Sequence, residues 1–394
     1  MSLEKETLRK EIYLKNSLLV EGLSFEPDIF ENEGVSEKYI ENVNAMFAHD
    51  RYAHKQIEFP SCFYMPKGAY RVQLRWIPES PYVLTKEDGI FVIRRSGKPV
   101  LEDVQFAKRP AYYGKKTSDG ADMRTIAQDY GYGNIFIVYS NECCLKSEGN
   151  DCKFCNINAT KDIYGDAQSI SWKSARQIGE TVKECYDNGY DKLTVSGGFV
   201  PERREVDYYV DIAEAIQDYT GLSDFNGTAC VGAPNDLEAI ARYKEAGFST
   251  VATNLEIWNE KMFEVICPGK AQFCGGRDNW LRTLKREVEV FGRFRVRSTF
   301  VSGIEPKESL LDGFERLVSE GVIALPSQWN VNVGSELEGH RTPEADWHWD
   351  VFERTLAIYR KNGLTWELLR NATAEPDTVI HDLLRLEEGV DIRD

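Results

Sequence analysis

From about residue 133 the chain alternates strand-like apolar runs with amphipathic helical segments, and this alternation limits the fold more than any other feature. Strand patterns fall at 134–140, 192–196, 226–231, 250–257, 295–301 and 322–333. Helical patterns fall between them at 173–188, 208–219, 236–246, 280–291 and 307–319. Units of roughly 30–50 residues of this kind mean a parallel sheet, open or closed on itself. Six strands are fewer than the eight of a full TIM barrel. The expected fold class is therefore α/β, a partial (β/α)6 TIM-type barrel over 131–343. A mixed α+β accessory segment over 1–130 precedes it, and closing helices over 344–394 follow. In the first segment 3–19 and 37–47 carry helical patterns, and 70–77, 82–85 and 90–94 are short β-rich runs. Lys86-Glu87-Asp88-Gly89 reads as a hairpin turn between two of them.

In sheets of this type functional groups gather at the C-terminal ends of the strands. There, after the first barrel strand, stand Cys144, Cys152 and Cys155 in a C-x7-C-x2-C pattern. Iron–sulfur clusters are normally held by four thiolates, so three on one loop suit a [4Fe–4S] cluster with one iron left open for a small molecule. Zinc is the rival, because a C-x2-C pair with further cysteines nearby is a common structural zinc pattern. Zinc wants a fourth Cys or His close by. Cys143 is adjacent to Cys144, and neighbours rarely both reach one metal; the first His after the loop is His340. Either Cys143 or Cys144 can supply the first ligand.

The other strand ends are also informative. Ser196-Gly197-Gly198 follows the second strand, and paired glycines let a backbone approach a ligand closely. Cys230 ends the third strand. Asn254 and Glu256 end the fourth, where alternation puts them on one face. An amide and a carboxylate so spaced suit a ribose diol or an ammonium group. The segment after them holds Cys267-Pro268-Gly269-Lys270 and Cys274-Gly275-Gly276-Arg277, with Lys270, Arg277 and then Arg297 as cations for a carboxylate. Two cysteines, Cys267 and Cys274, are too few for a second cluster. The apolar edge Val301 to Glu305, with Gly303, suits an adenine ring. Trp258, Trp329, Trp347 and His340 are candidates for a mouth that takes a partly apolar organic substrate.

A net charge of −16 argues against binding a phosphate backbone as the main function. The charged N-terminus has no signal-peptide core, and no run of about 18 apolar residues spans a membrane. Nine cysteines without an export signal fit a reducing cytoplasm, where clustered thiols serve metals or catalysis.

Over about 130–345 the chain resembles the radical S-adenosylmethionine (radical SAM) superfamily, biotin synthase-like branch. The resemblance implies a [4Fe–4S] cluster on Cys144, Cys152 and Cys155, with Phe154 beside the adenine. It implies that Ser196, Gly197 and Gly198 meet the methionine amino group. Asn254 and Glu256 would contact the ribose, and Val301 and Gly303 the adenine. For the methionine carboxylate Lys270 is the favoured cation, because Pro268-Gly269 sets it on a constrained turn. The stretch Val333 to Arg341 resembles the strand-six segment of that branch. Two departures stand out: the first cysteine gap is seven where three is usual, and Phe199 replaces a common Glu. The implied reaction is reductive cleavage of S-adenosylmethionine to a 5′-deoxyadenosyl radical that takes hydrogen from a small-molecule substrate. It needs an electron donor such as flavodoxin or ferredoxin. The alternatives are transfer of the 3-amino-3-carboxypropyl group, and a zinc-stabilised βα-barrel that only binds a ligand.

Overall fold

The structure, a computed structural model, describes residues 3–35, 37–38, 58–140, 143–147, 149–157, 172–332, 334–372 and 378–390. The N-terminal region opens with a helix, Leu3–Glu21. Eight short strands follow: β1 (Glu37–Lys38), β2 (Glu58–Phe59), β3 (Cys62–Tyr64), β4 (Arg71–Gln73), β5 (Tyr82–Glu87), β6 (Ile90–Arg95), β7 (Lys98–Glu102) and β8 (Gln105–Phe106). The expected hairpin is the β5–β6 turn, with Asp88 and Gly89 both at positive φ. Two such residues give a turn whose twist matches the strands it joins. A helix expected over 37–47 is not found at its start, where β1 pairs with β2; residues 39–57 lie outside the described residues.

The large sheet has seven strands in sequence order: β9 (Ala127–Gly131), β10 (Asn134–Val138), β11 (Lys192–Ser196), β12 (Gly227–Cys230), β13 (Thr250–Ala252), β14 (Val296–Ser302) and β15 (Val322–Gln328). β10 to β15 are parallel, and β9 joins β10 antiparallel as an extra edge. The six parallel strands are the six expected from the pattern. β9 was not expected. Its sequence, AQDYG, carries no apolar run, and it lies across the 130/131 boundary drawn from the sequence.

Local chemistry sets the elements. β10 reads Asn-Ile-Phe-Ile-Val and is buried throughout, as a strand covered on both faces must be. The following helix, Ala175–Asp187, starts at Ser174 with a reciprocal capping box to Gln177. Its buried side, Ile178, Val182 and Cys185, lies at helical spacing against the sheet. The helices Glu202–Thr220 and Lys307–Glu320 each stop at a left-handed glycine, Gly221 and Gly321. The N-terminal helix packs on the closing helices Ala345–Lys361 and Val379–Glu388. Lys15 and Asp382 form a buried ion pair between them at 2.6 Å.

The segment from β4 to Arg75 spans the two edges of the large sheet. The Arg71 N–H donates to the Tyr132 hydroxyl beside β9 at 2.9 Å, and its side chain lies against Gly131. Four residues on, Arg75 Nη1 donates to Asn330 Oδ1 just past β15 at 2.6 Å. One short stretch of the N-terminal region thus closes the gap that six parallel strands leave open.

Helix Gly276–Phe291 covers β13 and carries a fully buried carboxyl, Glu287. Thr253 Oγ1 donates to its Oε1 at 2.5 Å, while Oε2 has no partner. Burial pushes its pKa up to about 8. Because the folded value lies above the unfolded one, the folded state holds the extra proton between the two. Stability is therefore fully present below the unfolded pKa and falls as pH rises through about 8. Thermal melts of wild type and Glu287→Gln should coincide more closely near about pH 5, with the variant ahead near about pH 9. A gap independent of pH would mean that Glu287 does not hold this proton.

Candidate active site

One cavity of about 380 Å³ lies at the C-terminal ends of the strands, within the range of small-molecule sites. Every strand of the large sheet reaches it: Tyr130 from β9, Phe136 and Val138 from β10, Ser196 from β11 and Cys230 from β12 contribute. Asn254 and Glu256 do so just beyond β13, Arg297, Thr299 and Val301 from β14, and Gln328 from β15. Both edge strands line the same space, so the sheet curls around it as a partial barrel.

Cys143, Cys152 and Cys155 stand on its wall, and Cys144 does not. The reason is local. The Cys144 N–H donates to the Phe199 carbonyl at 2.9 Å, and a one-turn helix, Cys144–Ser147, starts there. Lys146 then pairs with Asp151 at 2.8 Å, and the Asn150 N–H donates to the Leu145 carbonyl at 2.8 Å. The long gap in the cysteine pattern is thereby folded back on itself, so that Cys143 and Cys152 share the cavity. Cys144 instead lies within electrostatic reach of Cys274. Burial raises the Cys143 pKa, and burial, with the Cys152 sulfur adding to it, pushes Cys155 up to about 12.

The cysteine loop is also held from the far side of the barrel. Asn332 Nδ2 donates to the Phe154 carbonyl at 3.1 Å, the Leu337 N–H donates to the Lys153 carbonyl at 3.1 Å, and Lys153 pairs with Glu336. Phe154 itself lines the cavity.

Ser196, Gly197 and Gly198 line it too. A Cβ on Gly197 would fall 2.5 Å from the Tyr139 ring, so only glycine fits there. Asn254 is committed within the wall: Nδ2 donates to Cys230 Sγ at 3.7 Å, and Oδ1 accepts from the Thr299 N–H at 3.1 Å. Glu256 has a positive φ of 72°, uncommon without glycine, and bridges to Phe300 of β14. Held this way, its carboxylate meets Lys270 at 3.2 Å.

Lys270 was expected on a turn set by Pro268-Gly269. It is instead on a helix, Pro268–Phe273, with Pro268 at the first position, where a missing N–H costs nothing. A second helix, Glu260–Ile266, precedes it. Lys270 lines the cavity and donates to the Asn254 carbonyl at 2.8 Å as well as to Glu256. Burial opposes its charge, but Glu256 and the sulfurs of Cys152 and Cys267 outweigh this and raise its pKa.

Arg297 of β14 is 3% exposed and lines the same cavity. Its Nη1 donates to Thr299 Oγ1 at 3.0 Å, and its Nε has no partner. Arg277 is elsewhere: it stacks 4.3 Å over Trp258 and donates to that residue's carbonyl. Val301 lines the cavity, but Gly303 does not; the space beside it is filled by Pro343 and His348. Of the four mouth candidates only Trp329 lines the cavity, with an unpartnered Nε1. Trp258 lies against Gly313, Trp347 lies beneath Lys307, and His340 is exposed.

Sequence reasoning missed Tyr130, Phe136, Val138, Glu205 and Gln328. Tyr130 and Phe136 stack at 4.8 Å. Alternation along the expected strand 134–140 would have found Phe136 and Val138, since residues i and i+2 share a face. Stepping back by twos from Val301 names Thr299 and Arg297.

Among the described residues no group of three or more His, Cys, Asp or Glu side chains is drawn together tightly enough to hold a metal ion.

Residues 143–308 match the profile of the radical SAM superfamily. The chain is 27% identical over 260 residues to bacteriochlorophyllide c C-7(1)-hydroxylase of Chlorobaculum limnaeum, covering 62% of this chain and 64% of that protein. It is 26% identical over 189 residues to 5-amino-6-(D-ribitylamino)uracil–L-tyrosine 4-hydroxyphenyl transferase 2 of Methanosarcina barkeri, covering 45% and 44%. The chain thus spans less than two-thirds of the length of these curated relatives. The crystal structure of methylornithine synthase superposes with a TM-score of 0.45 at 16% identity, over 66% of this chain and 69% of that one. No helix among the described residues is long and apolar enough to cross a membrane. The segment 143–308 thus carries the sequence profile of the radical SAM superfamily, whose members use a [4Fe–4S] cluster and S-adenosylmethionine.

Proposed function

We propose that the protein cleaves S-adenosylmethionine reductively and uses the resulting 5′-deoxyadenosyl radical to take hydrogen from a small organic substrate. The observation that carries this reading is the presence of Cys143, Cys152 and Cys155 on one cavity that every strand of the curled sheet reaches. A [4Fe–4S] cluster on these three sulfurs would supply the electron and an open iron for the amino and carboxylate groups of S-adenosylmethionine. The chain's residues bind and orient. Gly197 and Gly198 bring backbone close to the methionine amino group. Glu256 offers its carboxylate to the ribose hydroxyls, with Lys270 balancing its charge. Phe154 and Val301 flank the adenine. Arg297 replaces Lys270 as the cation for the methionine carboxylate: Lys270 is already paired, whereas the Arg297 Nε is buried without a partner. A buried carboxylate without such a partner is costly.

The substrate side is formed by the Tyr130–Phe136 stack, Val138 and Trp329, which favour a molecule with an apolar face. The names of the two relatives, a bacteriochlorophyllide hydroxylase and a transferase that uses tyrosine, fit ring-containing substrates. Flavodoxin or ferredoxin would donate the electron. In this reading 1–126 is accessory to the barrel and 344–394 closes it.

The test is the fragment that accumulates when reconstituted, reduced protein is incubated with S-adenosylmethionine without oxygen. Methionine and 5′-deoxyadenosine are expected. Methylthioadenosine would replace this reading with 3-amino-3-carboxypropyl transfer. A colourless, zinc-loaded protein that leaves S-adenosylmethionine intact would replace it with ligand binding alone.

A further inference from the structure

The end of β15 and the segment after it carry three side-chain amides, Gln328, Asn330 and Asn332, all half-buried and all on the cavity. Each is tied at one end, and the partner there fixes which way the amide points. Arginine has no acceptor, so it is the Asn330 oxygen that Arg75 Nη1 meets at 2.6 Å. Asn16 Nδ2 donates to the Ala345 carbonyl at 2.9 Å, which makes Asn16 Oδ1 an acceptor, and Gln328 Nε2 donates to it at 2.9 Å. The Phe154 carbonyl can only accept, so Asn332 turns its Nδ2 toward it at 3.1 Å. What these amides offer the cavity is therefore set. Gln328 presents Oε1, an acceptor. Asn330 presents Nδ2, a donor with one hydrogen directed to the Gln328 carbonyl at 3.4 Å and a second one to give. Asn332 is tied to the cysteine loop and belongs with Phe154 on the cofactor side. Gln328 and Asn330 are tied instead to the N-terminal region, at the β15 edge of the sheet. The Tyr130–Phe136 stack stands on β9 and β10, at the opposite edge. An apolar stack and an acceptor–donor pair thus line one cavity.

We propose that the substrate is a flat ring compound with an amide-type edge, an N–H beside a C=O. The N–H donates to Gln328 Oε1, the C=O accepts from Asn330 Nδ2, and the ring lies against Tyr130 and Phe136. This rests on the reading of the cavity as the site of S-adenosylmethionine cleavage and names the substrate class for it. A lactam carries this pair on a planar ring. A ligand of the same shape that lacks the N–H strips water from Gln328 Oε1 and returns no hydrogen bond, so the pair selects against lactones and hydrocarbons. Neither amide can turn over to suit the opposite pattern without giving up its tie to Asn16 or Arg75.

The experiment uses 2-quinolone and coumarin as matched probes. Both are flat fused-ring molecules with the C=O, and coumarin has a ring oxygen where 2-quinolone has the N–H. Dissociation constants are measured by ligand-observed NMR on protein reconstituted without oxygen, with S-adenosylmethionine bound and the cluster oxidised. Wild type should bind 2-quinolone about tenfold more tightly than coumarin. Gln328→Met should remove that preference. Asn330→Asp keeps an oxygen for Arg75 and replaces the donor, so it should weaken both probes about tenfold. Affinity for S-adenosylmethionine should stay at the wild-type level in both variants. Binding of neither probe to wild type, or equal binding of the two, overturns the proposal without any variant. So does a preference that survives Gln328→Met, or undiminished binding of both probes to Asn330→Asp. Weakened S-adenosylmethionine binding in either variant at an unchanged melting temperature also overturns it, since the amides would then read the cofactor. Absence of 5′-deoxyadenosine from the reduced wild-type protein overturns the underlying reading instead, whatever the probes do.

Discussion

Single replacement of Cys143, Cys152 or Cys155 by Ala is expected to abolish cluster assembly and cleavage of S-adenosylmethionine, while Cys144→Ala should keep most of its iron and its brown colour. The contrast between the two neighbours is the sharp part. Both are partly exposed cysteines on the same loop, and neither is in a disulfide. They differ in placement: Cys143 lines the cavity, whereas Cys144 opens a one-turn helix and does not line it. A cluster that loses one of three protein thiolates keeps two, too few to hold it against solvent. Iron assay and visible absorbance after anaerobic reconstitution give the answer. If Cys144→Ala loses iron and Cys143→Ala keeps it, the loop turns the other way when loaded and the first ligand is Cys144.

That choice was not legible in the sequence, because adjacent cysteines carry the same spacing information to within one residue. The proposed choice of Cys143 rests on the bond from the Cys144 N–H to the Phe199 carbonyl, a contact between residues 55 apart in sequence. The barrel was far more legible. Six parallel strands and the helices between them follow from the alternation of apolar runs with amphipathic segments. The edge strand β9 escaped because it earns its place through backbone pairing with β10 and carries no apolar pattern. The helix bearing Lys270 escaped because Pro-Gly reads as a turn, although proline at the first helical position is well tolerated. The partial barrel also hides its closure: the span from Arg71 to Arg75 joins the two sheet edges through contacts that no local pattern encodes.

The cation for the methionine carboxylate shows how burial reorders candidates that look equal in sequence. Lys270, Arg277 and Arg297 are all basic residues near strand ends. In the structure Arg277 is spent on Trp258 and Lys270 on Glu256, which leaves Arg297 with a buried nitrogen free. Hydrogen bonds to charged groups contribute about 1.5–3 kcal/mol, so Arg297→Met should weaken S-adenosylmethionine binding roughly tenfold to a hundredfold. Iron content should stay at the wild-type level, because Arg297 is not among the thiols. Arg297→Lys should recover part of the affinity, since a lysine keeps the charge but loses the fork. Lys270→Met should behave differently. It strands Glu256 as an uncompensated carboxylate beside Cys152, and removing one partner of a buried pair costs about 3–5 kcal/mol. The main loss in that variant should be thermal stability and iron retention, with affinity falling as a consequence. Titrating S-adenosylmethionine into each reconstituted variant, with iron and melting temperature measured on the same samples, separates the two. Wild-type affinity in Arg297→Met together with weakened affinity in an iron-replete Lys270→Met would return the carboxylate to Lys270, and the buried Arg297 Nε would then have no role in holding the cofactor.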